Sequence, residues 1–295
     1  MQSAEIVQQV LVRAMAVSVM LSVGLDLSFA RLRNVFSDLP ALGFGLVHHH
    51  VTMPLAAVAI ATLFGVPDAV FIGLLLVAAA PGGPVGALFT QHARGDVAYA
   101  VTMVFVPVLL SLVLLPVTLR VFAPGGGAVA DGFVPQMLSL IVPFQLVPLA
   151  LAMALRTYRP ALADRLLPWI ENATKALFGL VAIGMTFARA GLFLTLDVRA
   201  VFGSALLVAI ALGVGRVATV ADRGKRVALS CTAGIRNFAL AILVAEAMYS
   251  GETQVIVMTY GLCMFLMTIG VSSLYRLRAA SPPTAPAPSA EPVDA

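Results

Sequence analysis

Long apolar runs broken by short polar loops organise this chain, without the apolar–polar alternation that a membrane β-barrel needs. A membrane-spanning helix takes about 20 mostly apolar residues. Nine stretches qualify, at roughly 6–27, 40–65, 68–91, 97–120, 133–155, 167–188, 199–220, 225–249 and 253–275. The pattern predicts an all-α integral membrane protein of nine transmembrane helices.

Two of these spans are interrupted at their middles. Pro81-Gly82-Gly83-Pro84 breaks the run from Val70 to Phe89, and Thr232-Ala233-Gly234-Ile235-Arg236-Asn237 breaks the run from Val227 to Met248. A helix in lipid must satisfy its own backbone, so breaks at membrane depth survive only where protein or a water-filled cavity covers them. A pair of interrupted segments, one in each half, points to the central binding site of a secondary transporter built from inverted repeats. Four spans precede the 133–155 helix and four follow it, as two such repeats would if the helix that starts the first were missing.

Composition agrees: 60% of the residues are hydrophobic and 11% charged, against about a quarter charged in soluble domains. The net charge of +4 is no nucleic-acid footprint, because its cations sit in short loops, where they set membrane orientation. With the N-terminus outside, 12 of the 18 Lys and Arg residues fall on the cytoplasmic side, including Arg31, Arg33, Arg94, Arg156 and Arg223. Only Arg120, Arg189 and Arg199 fall on the other. The expectation is a multi-pass protein of the inner (plasma) membrane with its C-terminus in the cytoplasm. The run Ile6 to Leu27 is long enough to span and lacks a basic n-region, so it reads as a first helix and not a cleaved signal. Cys231 and Cys263 lie in apolar segments, against a disulfide framework. Residues 1–278 form the predicted membrane domain, and the Pro-, Ala- and Ser-rich 279–295 a disordered cytoplasmic tail.

The candidate chemistry gathers at the breaks. Pro81 cannot donate to the carbonyl of Val77, nor Pro84 to that of Ala80. Gly82 and Gly83 permit a turn between two half-helices, and the freed groups there could meet an ion or an anionic substrate. A kink that only shapes packing is the plainer alternative. Arg236 sits too deep to snorkel, where a charge costs about 2.5–3.5 kcal/mol or more. It either contacts an anionic substrate or is held by an internal partner, and Asn237 and Thr232 stand beside it.

His48, His49 and His50 precede Pro54. Successive helical residues point about 100° apart, so three in a row do not make a metal site. His49 or His50 could carry a proton near neutral pH, or simply hydrogen-bond within the bundle. Pro54 removes the helical donor to the His50 carbonyl. Glu171 and Lys175, at i and i+4 with the acid first, read as a structural pair. No nucleophile–base constellation, zinc spacing or phosphate loop is present, so neither an enzyme nor a cofactor is expected.

Further pieces are Met20-Leu21-Ser22-Val23-Gly24-Leu25-Asp26-Leu27, His49-His50-Val51-Thr52-Met53-Pro54, Pro81-Gly82-Gly83, Gly95-Asp96-Val97-Ala98, and Gly234 with Asn237 before Ala239-Leu240-Ala241. In this order they resemble the bile acid:sodium symporter family across most of residues 15–270. The resemblance implies a core domain with two unwound, crossing helices, a panel domain that rocks against it, and transport of organic anions with sodium. It also implies a nine-helix version of a fold that is typically ten-helical in bacteria.

The sequence departs from that pattern where the family binds sodium. The Ser-Asn after Pro-Gly-Gly is Gly86-Ala87 here, and a Ser and a Thr of the next helix align with Ala100 and Val104. In the second break, Glu-x-Gly-x-Gln-Asn has its Glu replaced by Thr232 and its Gln by Arg236. The family's Gln before Met-Pro aligns with His49. Oxygen ligands are lost and a fixed cation is gained.

The expectation is therefore a secondary transporter of a small organic anion without sodium coupling. Its substrate would meet Arg236, Asn237, Thr232, His49, Pro81, Gly82 and Gly83, with His49 or His50 as proton-coupling candidates. The rival readings are a symporter with a rearranged sodium or proton site, and a membrane sensor or binding protein on the same fold.

Overall fold

The computed structural model describes residues 2–26, 38–124, 133–218 and 221–280. The described residues are helical, in the order α1 (Gln2–Asp26), α2 (Leu39–Phe64), α3 (Asp68–Ala79), α4 (Val85–His92), α5 (Val97–Phe122) and α6 (Phe133–Tyr158). Then follow α7 (Pro160–Ala188), a single turn at Ala190–Leu194, α8 (Val198–Val217), α9 (Arg223–Gly234), α10 (Phe238–Met248) and α11 (Gly251–Ala280). Among the described residues, eight helical stretches are long and apolar enough to cross a membrane, one of them the α9–α10 pair, and the interrupted α3–α4 supplies the remaining predicted span. Arg31, Arg33, Leu27 and the expected disordered tail lie outside the described residues, apart from the last turn of α11.

The helices begin where the sequence offers caps. Asp38, Asp96, Asp197 and Asp222 accept from the N–H groups of Ala41 (3.1 Å), Tyr99 (2.9 Å), Arg199 (2.8 Å) and Lys225 (2.9 Å). Among the described residues these four carboxylates act as N-caps, where the exposed N–H groups and the dipole favour them. The Lys225 ammonium beside Asp38 also holds that carboxyl below its usual range. The sixth predicted span starts earlier than expected. Pro160 fits the first turn of α7, where its missing N–H costs nothing, so only Arg159 separates α6 from α7.

Two groups of helices result. α1 packs against α6 and α7. Gly24 of α1 lies so close to α6 that a Cβ there would stand 2.6 Å from the Ala152 Cβ. Among the described spans α7 is the most peripheral, with little of its apolar length buried. The second group, α2, α3, α4, α5, α8 and α11, surrounds α9 and, together with α1, covers α10, so that the apolar length of this pair is wholly buried. These groups correspond to the panel and core that the resemblance implies.

The two breaks cross at the centre. Asn237 N–H donates to the Ala80 carbonyl (2.8 Å), and Gly83 N–H donates to the Ile235 carbonyl (3.3 Å). This reciprocal pair satisfies backbone groups that neither half-helix can satisfy alone. Gly83 allows the approach, since a Cβ there would run into the Arg236 carbonyl.

Candidate functional site at the helix crossover

α3 ends at Ala79, and its last carbonyls have lost their i+4 donors, as Pro81 requires for Val77, whose carbonyl keeps only the Ala80 N–H at 3.3 Å. Arg236 fills that gap. Its Nε donates to the Val77 carbonyl at 3.0 Å, and one terminal nitrogen donates to the carbonyls of Ala78 and, at 3.3 Å, His49. The other terminal nitrogen meets His49 Nδ1 at 2.9 Å. The side chain is 1% exposed, and no carboxylate among the described residues pairs with it. Most of the five guanidinium N–H donors are therefore committed to protein acceptors.

The His49 carbonyl is available for a local reason. His48–Thr52 forms a π-helical turn, in which Met53 N–H reaches back five residues to the His48 carbonyl. In that register the donor for His49 would be residue 54, which is proline and has no N–H. In an α-helical register Pro54 would free the His50 carbonyl, and the π register moves the effect to His49.

The ring of His49 is fixed by the same contact. A guanidinium only donates, so Nδ1 accepts and the ring proton sits on Nε2. His49 Nε2 and His50 Nε2 are both buried without a partner among the described residues.

Asn237 is also committed to protein. Its Oδ1 caps α10 by accepting from Leu240 N–H at 3.0 Å, and its Nδ2 donates to Gln145 Oε1 at 3.3 Å. Gln145 lies in a second π-helical turn, Val142–Leu146, in α6. Thr232 bonds within its own helix, its hydroxyl donating to the Ala228 carbonyl at 2.8 Å.

A cavity of about 270 Å³ lies against the crossover, between the two helix groups. Gly83, Val85 and Leu88, Asn237 and Phe238, and Met264 and Phe265 form its core side, and Val19, Thr174, Lys175 and Phe178 the other. It shares Pro84, Val85, Leu88, Thr174 and Lys175 with a second hollow of about 110 Å³ that reaches Ser22 and Asp26 at the C-terminal end of α1. Toward the opposite end of α1 the groups are joined by polar contacts. Gln8 Nε2 donates to Gln254 Oε1 at 3.3 Å, and Arg189 donates to the same oxygen at 3.2 Å.

Of the residues that the sequence nominates, Gly83, Arg236 and Asn237 line the cavity, but the Arg236 guanidinium turns away into the core. Thr232, His49, His50, Pro81 and Gly82 do not line either hollow. The expected Glu171–Lys175 pair is not formed; among the described residues Lys175 Nζ instead has a long 3.5 Å contact with Asn172 Oδ1. Glu171, Thr174, Lys175 and Phe178 all face the cavity or the hollow beside it. Thr174 and Phe178 extend the Glu171–Lys175 pair to an i, i+3, i+4, i+7 stripe, and three polar residues on one face of an apolar span are the sequence signal for a cavity wall here.

The sodium bile acid symporter family model matches residues 14–196, a stretch that includes the first break and ends before the second. The chain is 29% identical over 150 residues to the probable sodium/metabolite cotransporter BASS3, chloroplastic, of Oryza sativa subsp. japonica, covering 51% of this chain and 35% of that protein. It is 25% identical over 177 residues to the hepatic sodium/bile acid cotransporter of Rattus norvegicus, covering 58% of this chain and 47% of that one. It is 25% identical over 181 residues to the P3 protein of Homo sapiens, covering 60% and 37%. The chain thus spans about a third to a half of the length of these relatives.

Proposed function

The chain belongs to the sodium bile acid symporter family, and on that premise we propose that it is a secondary transporter of a small organic anion that works without sodium. The observation that carries this reading is the guanidinium of Arg236 on the carbonyls of Val77, Ala78 and His49. Carbonyls freed at a helix C-terminus, at the negative end of its dipole, attract a cation. Here the cation is part of the chain. A sodium ion brought to the same oxygens would displace the guanidinium and meet its charge.

The positions that align with the family's sodium ligands support the same reading. Gly86 packs so closely on α9 that a Cβ there would stand 2.9 Å from the Thr232 Cα. Ala100 is 0% and Val104 3% exposed, and both side chains are hydrocarbon. Restoring Ser at 86 would push α4 and α9 apart instead of rebuilding an ion site.

The anion would enter the 270 Å³ cavity, with the start of α10 on one wall. The second hollow leads toward the Asp26 end of α1, and the Gln8–Gln254–Arg189 contacts close the opposite end. With the N-terminus outside and the inner membrane as location, this conformation is open to the cytoplasm. Rocking of α1, α6 and α7 against the core would exchange that opening for one on the other side.

Uptake of radiolabelled organic anions into proteoliposomes tests the reading. Replacing sodium with potassium or choline is expected to leave the rate unchanged. Uptake that rises steeply with sodium would overturn it.

His49 is not needed as a proton carrier on this reading. Protonating Nδ1 would set two donors against each other at the Arg236 contact. His49→Gln offers an amide oxygen in place of Nδ1, so uptake should follow the wild-type pH profile between about pH 5.5 and 7.5, around the ordinary histidine pKa of about 6.5. A profile that flattens only in this variant would assign His49 to proton coupling.

A further inference from the structure

Lys175 is the charged side chain of the cavity wall with the weakest internal tie. It lines both the 270 Å³ cavity and the adjoining hollow. Its hydrogen bond is a 3.5 Å contact with Asn172 Oδ1, and it makes no ion pair among the described residues. Arg236, the other cation at this cavity, spends its donors on Val77, Ala78 and His49. The carboxylates of Asp26 and Glu171 line the outer hollow and are absent from the inner cavity.

The apolar surface that surrounds Lys175 limits what can be bound. Val19, Leu88, Phe178, Phe238, Met264 and Phe265 offer hydrocarbon and ring faces, with the rings of Phe178 and Phe238 5.1 Å apart, as are those of Phe178 and Phe265. The volume sits just below the about 300–1,000 Å³ of drug-sized ligand sites. A compact monoanion with an apolar or aromatic body matches this room.

Building on the transporter reading above, we propose that Lys175 is the specificity-determining residue, pairing with the carboxylate or sulfonate of an amphipathic monoanion whose apolar body packs on Phe178, Phe238 and Phe265. The ammonium comes from α7 and the start of α10 from the core, so the head group would bridge the two helix groups. Loss of either wall's contact on rocking would loosen the ligand.

The test uses the purified full chain and three probe pairs of nearly equal shape: phenylacetate, 4-phenylbutanoate and benzenesulfonate, each against its neutral amide. Wild-type protein is expected to bind at least one anion tighter than its amide by roughly tenfold to a hundredfold, the range of a charge-assisted hydrogen bond. Lys175→Gln should remove that preference without changing affinity for the amide, and Lys175→Arg should keep most of it. Glu171→Gln should leave the preference in place. Charge preference retained in Lys175→Gln would overturn the proposal, as would a wild-type protein that binds no probe anion better than its amide. The transporter reading fails separately: charge-selective binding that depends on Lys175, with no uptake into proteoliposomes, would leave a binding protein with this same residue.

Discussion

Arg236→Gln is expected to destabilise the protein before it changes anything else. The substitution leaves the Ala78 and His49 carbonyls without their guanidinium donors and the Val77 carbonyl with only Ala80 N–H, at 3.3 Å. Each hydrogen bond from a charged donor contributes about 1.5–3 kcal/mol. Part of that is offset, because the variant no longer buries a charge. A net loss of about 3 kcal/mol corresponds to a fall in melting temperature of roughly 6–12 °C. Arg236→Lys should fall between the two, since one ammonium cannot reproduce the fork that spans three carbonyls and a ring nitrogen. Sodium is expected to recover part of the loss in Arg236→Gln, where the carbonyls are bare, and to do nothing for the wild type. A melting temperature in Arg236→Gln equal to that of the wild type would remove the guanidinium from its role as tethered cation.

Much of this arrangement was legible in the residues. The two interrupted spans were found from Pro81-Gly82-Gly83-Pro84 and from the polar run ending in Asn237, because proline and glycine act on the backbone locally. Arg236 is legible as a key residue because a charge so deep in an apolar run needs a partner. The sequence could not say which partner. That depended on the π register of His48–Thr52, which moved the free carbonyl from His50 to His49 and brought it toward α9. Nor does spacing distinguish a lysine that pairs with Glu171 from one that lines a cavity without that partner, because both share the same helical face. The distinction lies in the packing of α7 against a core whose α4 part is about 80 to 90 residues away in the chain. Short-range periodicity fixes the face, and long-range packing decides what the face meets.

The crossover itself gives the largest expected effect. Gly82 has φ +85°, in the region where side chains other than glycine are strained. A Cβ at this position would run into the carbonyl of Val104 and the Val108 side chain on α5. Backbone strain of about 1–3 kcal/mol and overpacking of about 1–3 kcal/mol then act together on Gly82→Ala. They act where Asn237 N–H and Gly83 N–H hold the two breaks together, so a shift of either half-helix opens both bonds. The expected result is little or no folded protein on size exclusion after detergent extraction. Gly65→Ala is the control. It also has a positive φ, +55°, but open space where its Cβ would stand, so it should carry only the strain of about 1–2 kcal/mol and remain folded. If Gly82→Ala extracts and melts like Gly65→Ala, α5 has room to withdraw, and close packing at the crossover is not what holds the break in place.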